Sequence, residues 1–253
     1  MLKKWVIGNW KMHGSLADNK ALIDGIRAEL PALDARVGMV VCPVFPYIPQ
    51  LKQITAGSGI GVGAQDISEF AKGAYTGEVA GPMLKDVGVE YVIVGHSERR
   101  TFHGEHNEQI ARKAKAVIET GLIPVVCIGE SLEERQANQT EAVLTAQLDA
   151  LFAVVGTDNA NIILAYEPRW AIGTGVAATP DMIQAVHSFV RAYLTKRSAA
   201  VAGLPILYGG SMKGSNAASI VTLPNVDGGL IGSAALNAAE FVAIYKALVA
   251  SVA

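Results

Sequence analysis

The sequence predicts an α/β protein: one closed barrel of eight parallel strands, each followed by helix, a (β/α)8 barrel. Three observations predict it. Short apolar runs recur along the 253 residues at 5–10, 39–44, 60–65, 91–95, 124–128, 162–166, 206–209 and 229–232. Several are apolar almost throughout, such as Val40-Val41-Cys42 and Val125-Val126-Cys127-Ile128, which marks strands buried on both faces of a parallel sheet. Longer amphipathic stretches separate them, giving roughly eight units of about 30 residues each.

The elements follow in order. The first run ends in Gly8-Asn9-Trp10-Lys11-Met12, and a helical pattern occupies 16–30. The second and third runs lead to a long polar segment, 65–80, containing Gly73-Ala74-Tyr75-Thr76-Gly77-Glu78; long ordered loops in compact domains tend to be functional. The fourth run ends at His96-Ser97-Glu98-Arg99-Arg100, ahead of a helix over 105–119. The fifth precedes a helix over 133–152, and the sixth stops at Glu167-Pro168 before a small-residue loop and a helix over 180–196. The seventh run closes in Gly209-Gly210-Ser211, and the eighth reaches Gly232-Ser233, which opens the last helix, 237–249. The alanine-rich tail completes that helix and then frays. No Pro/Ser-rich linker interrupts the pattern, so residues 1–253 form one domain. A doubly wound open sheet is the structural alternative. It calls for a glycine fingerprint after an early strand, and Gly8-Asn9-Trp10-Lys11-Met12 does not match one.

Composition narrows the function. Hydrophobic residues make up 51% of the chain, enough for a large core, and the net charge of −2 favours neither nucleic acid nor an anionic membrane as partner. An anionic substrate then needs locally positive features. Cys42 and Cys127 sit inside apolar runs and are expected as reduced core thiols. No CxxC pair supports structural zinc. Residues 1–4 lead straight into a strand with no long apolar segment, so secretion and membrane insertion are disfavoured and a cytoplasmic location is expected.

In a parallel barrel the C-terminal strand ends share one rim, so Asn9, Lys11, His96, Glu167, Ser211 and Gly232 should converge. Glu167 closes an apolar strand and precedes a proline. Cover from Tyr166, Trp170 and Ile172 would raise its basicity by desolvation, as suits a general base; pairing with Arg169 or another cation is the structural alternative. His96 stands where a helix begins. Backbone N–H groups aimed at the imidazole would oppose its protonation and leave a neutral hydrogen-bond donor, while a histidine satisfied by backbone groups is the plainer reading. His13, His103, His106 and His187 lack such context and receive no catalytic role.

Four motifs, in order and at matching spacing, carry a resemblance. They are Gly8-Asn9-Trp10-Lys11-Met12, Val94-Gly95-His96-Ser97-Glu98-Arg99-Arg100, Ala165-Tyr166-Glu167-Pro168-Arg169-Trp170-Ala171-Ile172-Gly173-Thr174-Gly175 and Tyr208-Gly209-Gly210-Ser211. Over residues 5 to about 241 the chain resembles the triosephosphate isomerase family, TIM barrels that interconvert dihydroxyacetone phosphate and glyceraldehyde 3-phosphate in glycolysis and gluconeogenesis. The resemblance implies catalytic roles for Glu167 as base, His96 as carbonyl polariser, and Lys11 and Asn9 at the enediolate, with Glu98 a partner of Lys11. It implies substrate binding by Asn9, Lys11, Gly173, Ser211, Gly232 and Ser233. It also implies a lid of Pro168, Arg169, Trp170, Ala171, Ile172, Gly173, Thr174, Gly175, Val176, Ala177 and Ala178. No metal or organic cofactor is implied. A homodimer is, with Tyr75 and Thr76 in the contact loop and Thr76 reaching Lys11 of the partner subunit.

Four positions depart from the family pattern. Arg169 stands where a small apolar residue is usual, Val176 where lysine is common, His13 for asparagine and Ser233 for glycine. The first two fall at lid hinges and are expected to alter lid rates rather than the reacting groups. Three rival functions are weaker. A glycosidase would use Glu98 and Glu167 as paired carboxylates and leave the glycine loops without purpose. A Schiff-base aldolase needs a central lysine, and Lys11 is poorly placed for that. A non-catalytic phosphate-binding barrel does not require the full proton-transfer set.

Overall fold

A computed structural model of the chain describes residues 4–30, 32–159, 161–172 and 178–252. Among these, eight strands run parallel and close on themselves in the order β1-β2-β3-β4-β5-β6-β7-β8. They are β1 (Lys4–Asn9), β2 (Val37–Cys42), β3 (Gly61–Ala64), β4 (Tyr91–Val94), β5 (Ile123–Ile128), β6 (Ile163–Tyr166), β7 (Ile206–Tyr208) and β8 (Gly228–Ile231). The helices are α1 (Leu16–Glu29), α2 (Ile48–Ile54), α3 (Gly81–Asp86), α4 (Ser97–Phe102), α5 (Asn107–Glu119), α6 (Leu132–Gln136), α7 (Thr140–Val155), α8 (Pro180–Arg197), α9 (Gly214–Val221) and α10 (Ala238–Ala250).

The apolar runs are continuous because each strand has two buried faces. Alternate residues point inward and outward. Ile7, Val40, Ile93, Val125, Ile163 and Leu207 belong to a cluster filling the barrel, while Val6, Val41, Val92, Val126, Leu164 and Ile206 pack outward under the helices. Burial of each such side chain contributes about 1.5–3 kcal/mol, so a polar residue on either face is costly. The seam joins Trp5 of β1 to Gly228 of β8. Gly228 has φ +142, and a Cβ there would lie 1.8 Å from the Trp5 carbonyl oxygen, so glycine is required for closure.

Two expected helices change form. The pattern over 133–152 resolves into α6 and α7, separated at Asn138 with φ +55. An asparagine tolerates that left-handed conformation, which no helix continues through. Gly232-Ser233 does not open the last helix: Ser233–Leu236 is a separate 3-10 turn, and α10 begins at Ala238 with the Asn237 side chain accepting from the Glu240 N–H. The helix expected to start at His96 is the short α4, whereas α2, α3 and α9 carry too little periodicity, at one or two turns each, to register in the sequence.

On α8, His187 is fully buried, its Nδ1 2.9 Å from the Asn225 carbonyl oxygen and its ring edge-on to Tyr166. That contact puts the proton on Nδ1 and leaves Nε2 as a buried acceptor with no partner among the described residues. Burial lowers the pKa from 6.5 to about 4. The unfolded chain therefore binds more protons between those values, and stability must fall as pH drops through that window. The loss reaches about 3 kcal/mol once pH is below 4. His187→Gln keeps a donor for Asn225 without a titrating ring. Urea melts at pH 7.5 and 4.5 should show a smaller loss in this variant than in the parent.

Candidate active site

The C-terminal strand ends surround a cavity of about 330 Å³ lined by Asn9, Lys11, His96, Glu167, Ser211, Gly232 and Ser233. Every described residue to which a catalytic or substrate-binding role was attached lies here, apart from Glu98, which lines the adjoining cavity. Gly173, and with it Thr174, Gly175, Val176 and Ala177 of the expected lid, lies outside the described residues.

Glu167 is 2% exposed. Its Oε1 lies 2.9 Å from His96 Nε2, and its Oε2 accepts from the Ser97 N–H at 2.8 Å. The Cys127 thiol, inside the barrel, also donates to this carboxylate. Burial pushes the carboxyl pKa up, but His96, the Ser97 N–H and Cys127 outweigh it and hold the group below the usual carboxylate range. The raised basicity expected from desolvation is thus masked while these donors are in place. Nor do Tyr166 and Trp170 supply the cover expected of them. Tyr166 belongs to the outward-packing cluster, and both Tyr166 Oη, at 3.1 Å, and Trp170 Nε1, at 2.9 Å, donate to Glu130 Oε1. Of the three expected cover residues, only Ile172 lines the cavity with the base. Gly209 also sets the position of Glu167: a Cβ there would lie 2.7 Å from Glu167 Cγ.

His96 caps α4, and its Nδ1 accepts from the Glu98 N–H at 3.2 Å. An Nδ1 that accepts leaves the ring proton on Nε2, so the imidazole facing Glu167 is the neutral donor expected from the helix start. Burial lowers its pKa, but the neighbouring Glu167 carboxylate more than offsets this and raises it. The contact with Glu167 is therefore what a ligand inserted between the two would remove.

Lys11 has φ +52, an uncommon conformation for a residue with a side chain. Its N–H donates to Asn9 Oδ1 at 3.0 Å and its carbonyl accepts from Gln65 Nε2 at 2.8 Å, so two side chains hold the strained turn. Its ammonium lies 2.5 Å from Glu98 Oε1. Asn9 thereby helps to fix the Lys11 backbone. Ser211 and Ser233 border the cavity beside Gly232, where a Cβ would meet only Lys11 Cε, at 3.5 Å. The first N–H groups of the 3-10 turn Ser233–Leu236 have no acceptor within the turn, which suits an anion.

Arg169 does not pair with Glu167; its Nη2 donates to Thr101 Oγ1 on α4 at 3.2 Å. Tyr75 is stacked on Phe70 with ring centroids 4.1 Å apart, and Thr76 beside it is exposed. Both cysteines are free and buried.

Sequence reasoning missed Glu130. It is fully buried, and besides Tyr166 and Trp170 its Oε1 takes Arg135 Nη1 at 3.1 Å. It ties the first residues of the expected lid to the end of β5. The signal existed: an acid just past a strand end, as at Glu167. His13, to which no catalytic role was given, and Lys213, which carried no expectation, also line the main cavity. Among the described residues no cluster of three or more His, Cys, Asp or Glu side chains converges to hold a metal ion, and no helix is long and apolar enough to cross a membrane.

Fold and site together define a class: (β/α)8 barrels that place titratable side chains beside glycine- and serine-containing loops at the C-terminal rim. Residues 4–248 match the family model described as triosephosphate isomerase. Similar proteins include the triosephosphate isomerases of Cupriavidus taiwanensis, 51% identical over 98% of this chain and 100% of its relative, and of Thiobacillus denitrificans, 52% identical over 98% and 99%. That of Xanthomonas campestris pv. campestris strain 8004 is 50% identical over 99% and 100%. The chain belongs to the triosephosphate isomerase family.

Proposed function

We propose that this chain interconverts dihydroxyacetone phosphate and D-glyceraldehyde 3-phosphate, with Glu167, His96, Lys11 and Asn9 in the roles below. The observation that carries the residue assignments is the buried Glu167–His96 pair, 2.9 Å apart on the wall of a cavity bordered by Ser211, Gly232 and Ser233. The substrate enters between the pair. Glu167 then loses its His96 partner while burial persists, and its basicity rises toward that of a desolvated carboxylate. It removes a proton from the carbon beside the carbonyl. The His96 Nε2–H donates to the carbonyl oxygen, and the Lys11 ammonium stabilises the enediolate that forms. Protonated Glu167 delivers a proton to the neighbouring carbon while the hydroxyl proton passes from one substrate oxygen to the other by way of His96 Nε2, so the reaction moves hydrogen with no net redox change. Ser211, Gly232 and Ser233 hold the phosphate, Gly173 adds to that grip, and residues 168–178 act as the lid that excludes water. Glu98 supports Lys11. A coupled assay of glyceraldehyde 3-phosphate conversion tests the reading: parent turnover supports it, and a folded parent without turnover overturns it.

The working form is a cytoplasmic homodimer. Supporting this, Met12 and Phe102 are 90% and 76% exposed and flank a second cavity of about 310 Å³ that also contains Lys11 and Glu98. Exposed apolar residues around a concave patch mark an interaction surface. The Tyr75–Thr76 loop of a second copy fills it in this account, reaching Lys11. Sedimentation equilibrium should give twice the 26.5 kDa chain mass. Thr76→Arg, which puts bulk and charge beside the Lys11 ammonium, should shift the population toward monomer; a parent that sediments as monomer at micromolar concentration contradicts the proposal.

A further inference from the structure

The triose phosphate carries a dianion, yet the whole chain carries a net charge of −2 and so repels it at long range. Local positive charge must draw the substrate in. Lys11 is a poor source, because Glu98 lies 2.5 Å from its ammonium and largely cancels it beyond the immediate contact. Glu167 adds a negative charge on the same wall.

Lys213 differs. It lines the main cavity at the phosphate end, two residues past Ser211, and it is exposed. No carboxylate among the described residues pairs with its ammonium. The nearby Glu240 is already engaged: its Oε2 accepts from the Gly214 N–H at 2.8 Å, and its own N–H is bonded to Asn237. The Lys213 backbone is fixed too, donating to Asn216 Oδ1 at 2.8 Å, so the residue is anchored at its main chain while its ammonium forms no ion pair among the described residues. Ser211 is held to the same corner, its carbonyl accepting from Asn216 Nδ2 at 3.2 Å.

We propose that Lys213 is the steering residue of this site, an uncompensated cation at the cavity rim that draws the phosphate group of the substrate toward Ser211 and Gly232. It takes no part in proton transfer. The inference rests on the isomerase reading and adds to it a source for the encounter rate. A charge of this kind acts on association more than on the bound state, and its effect weakens with salt.

The test compares Lys213→Gln and Lys213→Arg with the parent at several ionic strengths. For Lys213→Gln, kcat/KM with glyceraldehyde 3-phosphate should fall about three- to fivefold at low salt. Its salt dependence should flatten while kcat holds, and competitive inhibition by inorganic phosphate should weaken by a similar factor. Lys213→Arg should restore both. Turnover of phosphate-free glyceraldehyde should not change, which a merely structural role for Lys213 would not predict. An unchanged kcat/KM and phosphate inhibition in Lys213→Gln would overturn the assignment, as would a loss shared equally by glyceraldehyde. A folded parent with no triose phosphate turnover would instead overturn the isomerase reading. Calorimetric titration of parent and Lys213→Gln with phosphate would still decide whether Lys213 attracts anions: weaker binding in the variant supports it, and equal binding refutes it.

Discussion

Glu167→Gln should lower kcat by about 10²- to 10⁴-fold, the range spanned by a positioned general base, with KM changed far less. The amide occupies the same volume in a site where the parent side chain is 2% exposed. Its oxygen still accepts from the Ser97 N–H or from His96, so the fold survives while the ability to take a proton is lost. Glu167→Asp keeps the charge but withdraws it by one methylene from a wall that Gly209 has shaped around the longer chain. It should lose activity for reasons of placement alone. Steady-state assays with thermal melts as a control for folding check both. Near-parental kcat in a folded Glu167→Gln would remove Glu167 from the chemistry.

Lys113→Met should destabilise the protein by about 3–5 kcal/mol, the cost of leaving buried charges without their partner. Lys113 is 3% exposed, and its ammonium lies 2.8 Å from Asp66 Oδ1 and 2.5 Å from Glu105 Oε1. Arg99 spans the same two carboxylates, at 2.9 Å and 2.6 Å. The single cation of Arg99 cannot neutralise both once Lys113 is gone. For a domain of this size the melting temperature should drop by about 6–20 °C at fixed protein concentration. Lys113→Met combined with Glu105→Gln removes one charge of each sign and should recover part of the loss. The network also matters to the site, because Arg99 belongs to α4, whose start carries His96, Ser97 and Glu98. A Lys113→Met melt within a degree or two of the parent would contradict the account.

How much of this was legible depended on whether the signal was local. The strands could be read because both faces of each are buried, so the apolar runs stand out without help from tertiary context. The start of β2 was the exception. It begins at Val37, two residues before the run beginning at Met39, because Gly38 makes room for the Trp5 ring, which a Cβ would meet at 2.2 Å. A glycine required by packing dilutes the hydrophobic signal. The break at Asn138 was visible as a residue type but not as a conformation.

At the site, the convergence of Asn9, Lys11, His96 and Glu167 followed from their positions at strand ends, since the barrel brings all such ends to one rim. What those residues touch did not follow. Tyr166 and Glu167 are adjacent in sequence yet face opposite sides of the sheet, so the expected cover from Tyr166 was lost to Glu130. The sign of the Glu167 shift depended on donors from β5 and α4, far away in the chain. Burial alone argued for a raised value, and only the assembled barrel supplies the opposing hydrogen bonds.

The most direct test of the central claim is isomerisation of glyceraldehyde 3-phosphate in deuterium oxide, followed by proton NMR of the product. If a carboxylate removes and returns the proton through an enediolate, dihydroxyacetone phosphate should form with deuterium at C1, because the base exchanges with solvent during its protonated interval. Product carrying no deuterium would point to direct hydride migration, and the absence of product from a folded sample would remove the isomerase; either result would contradict the account.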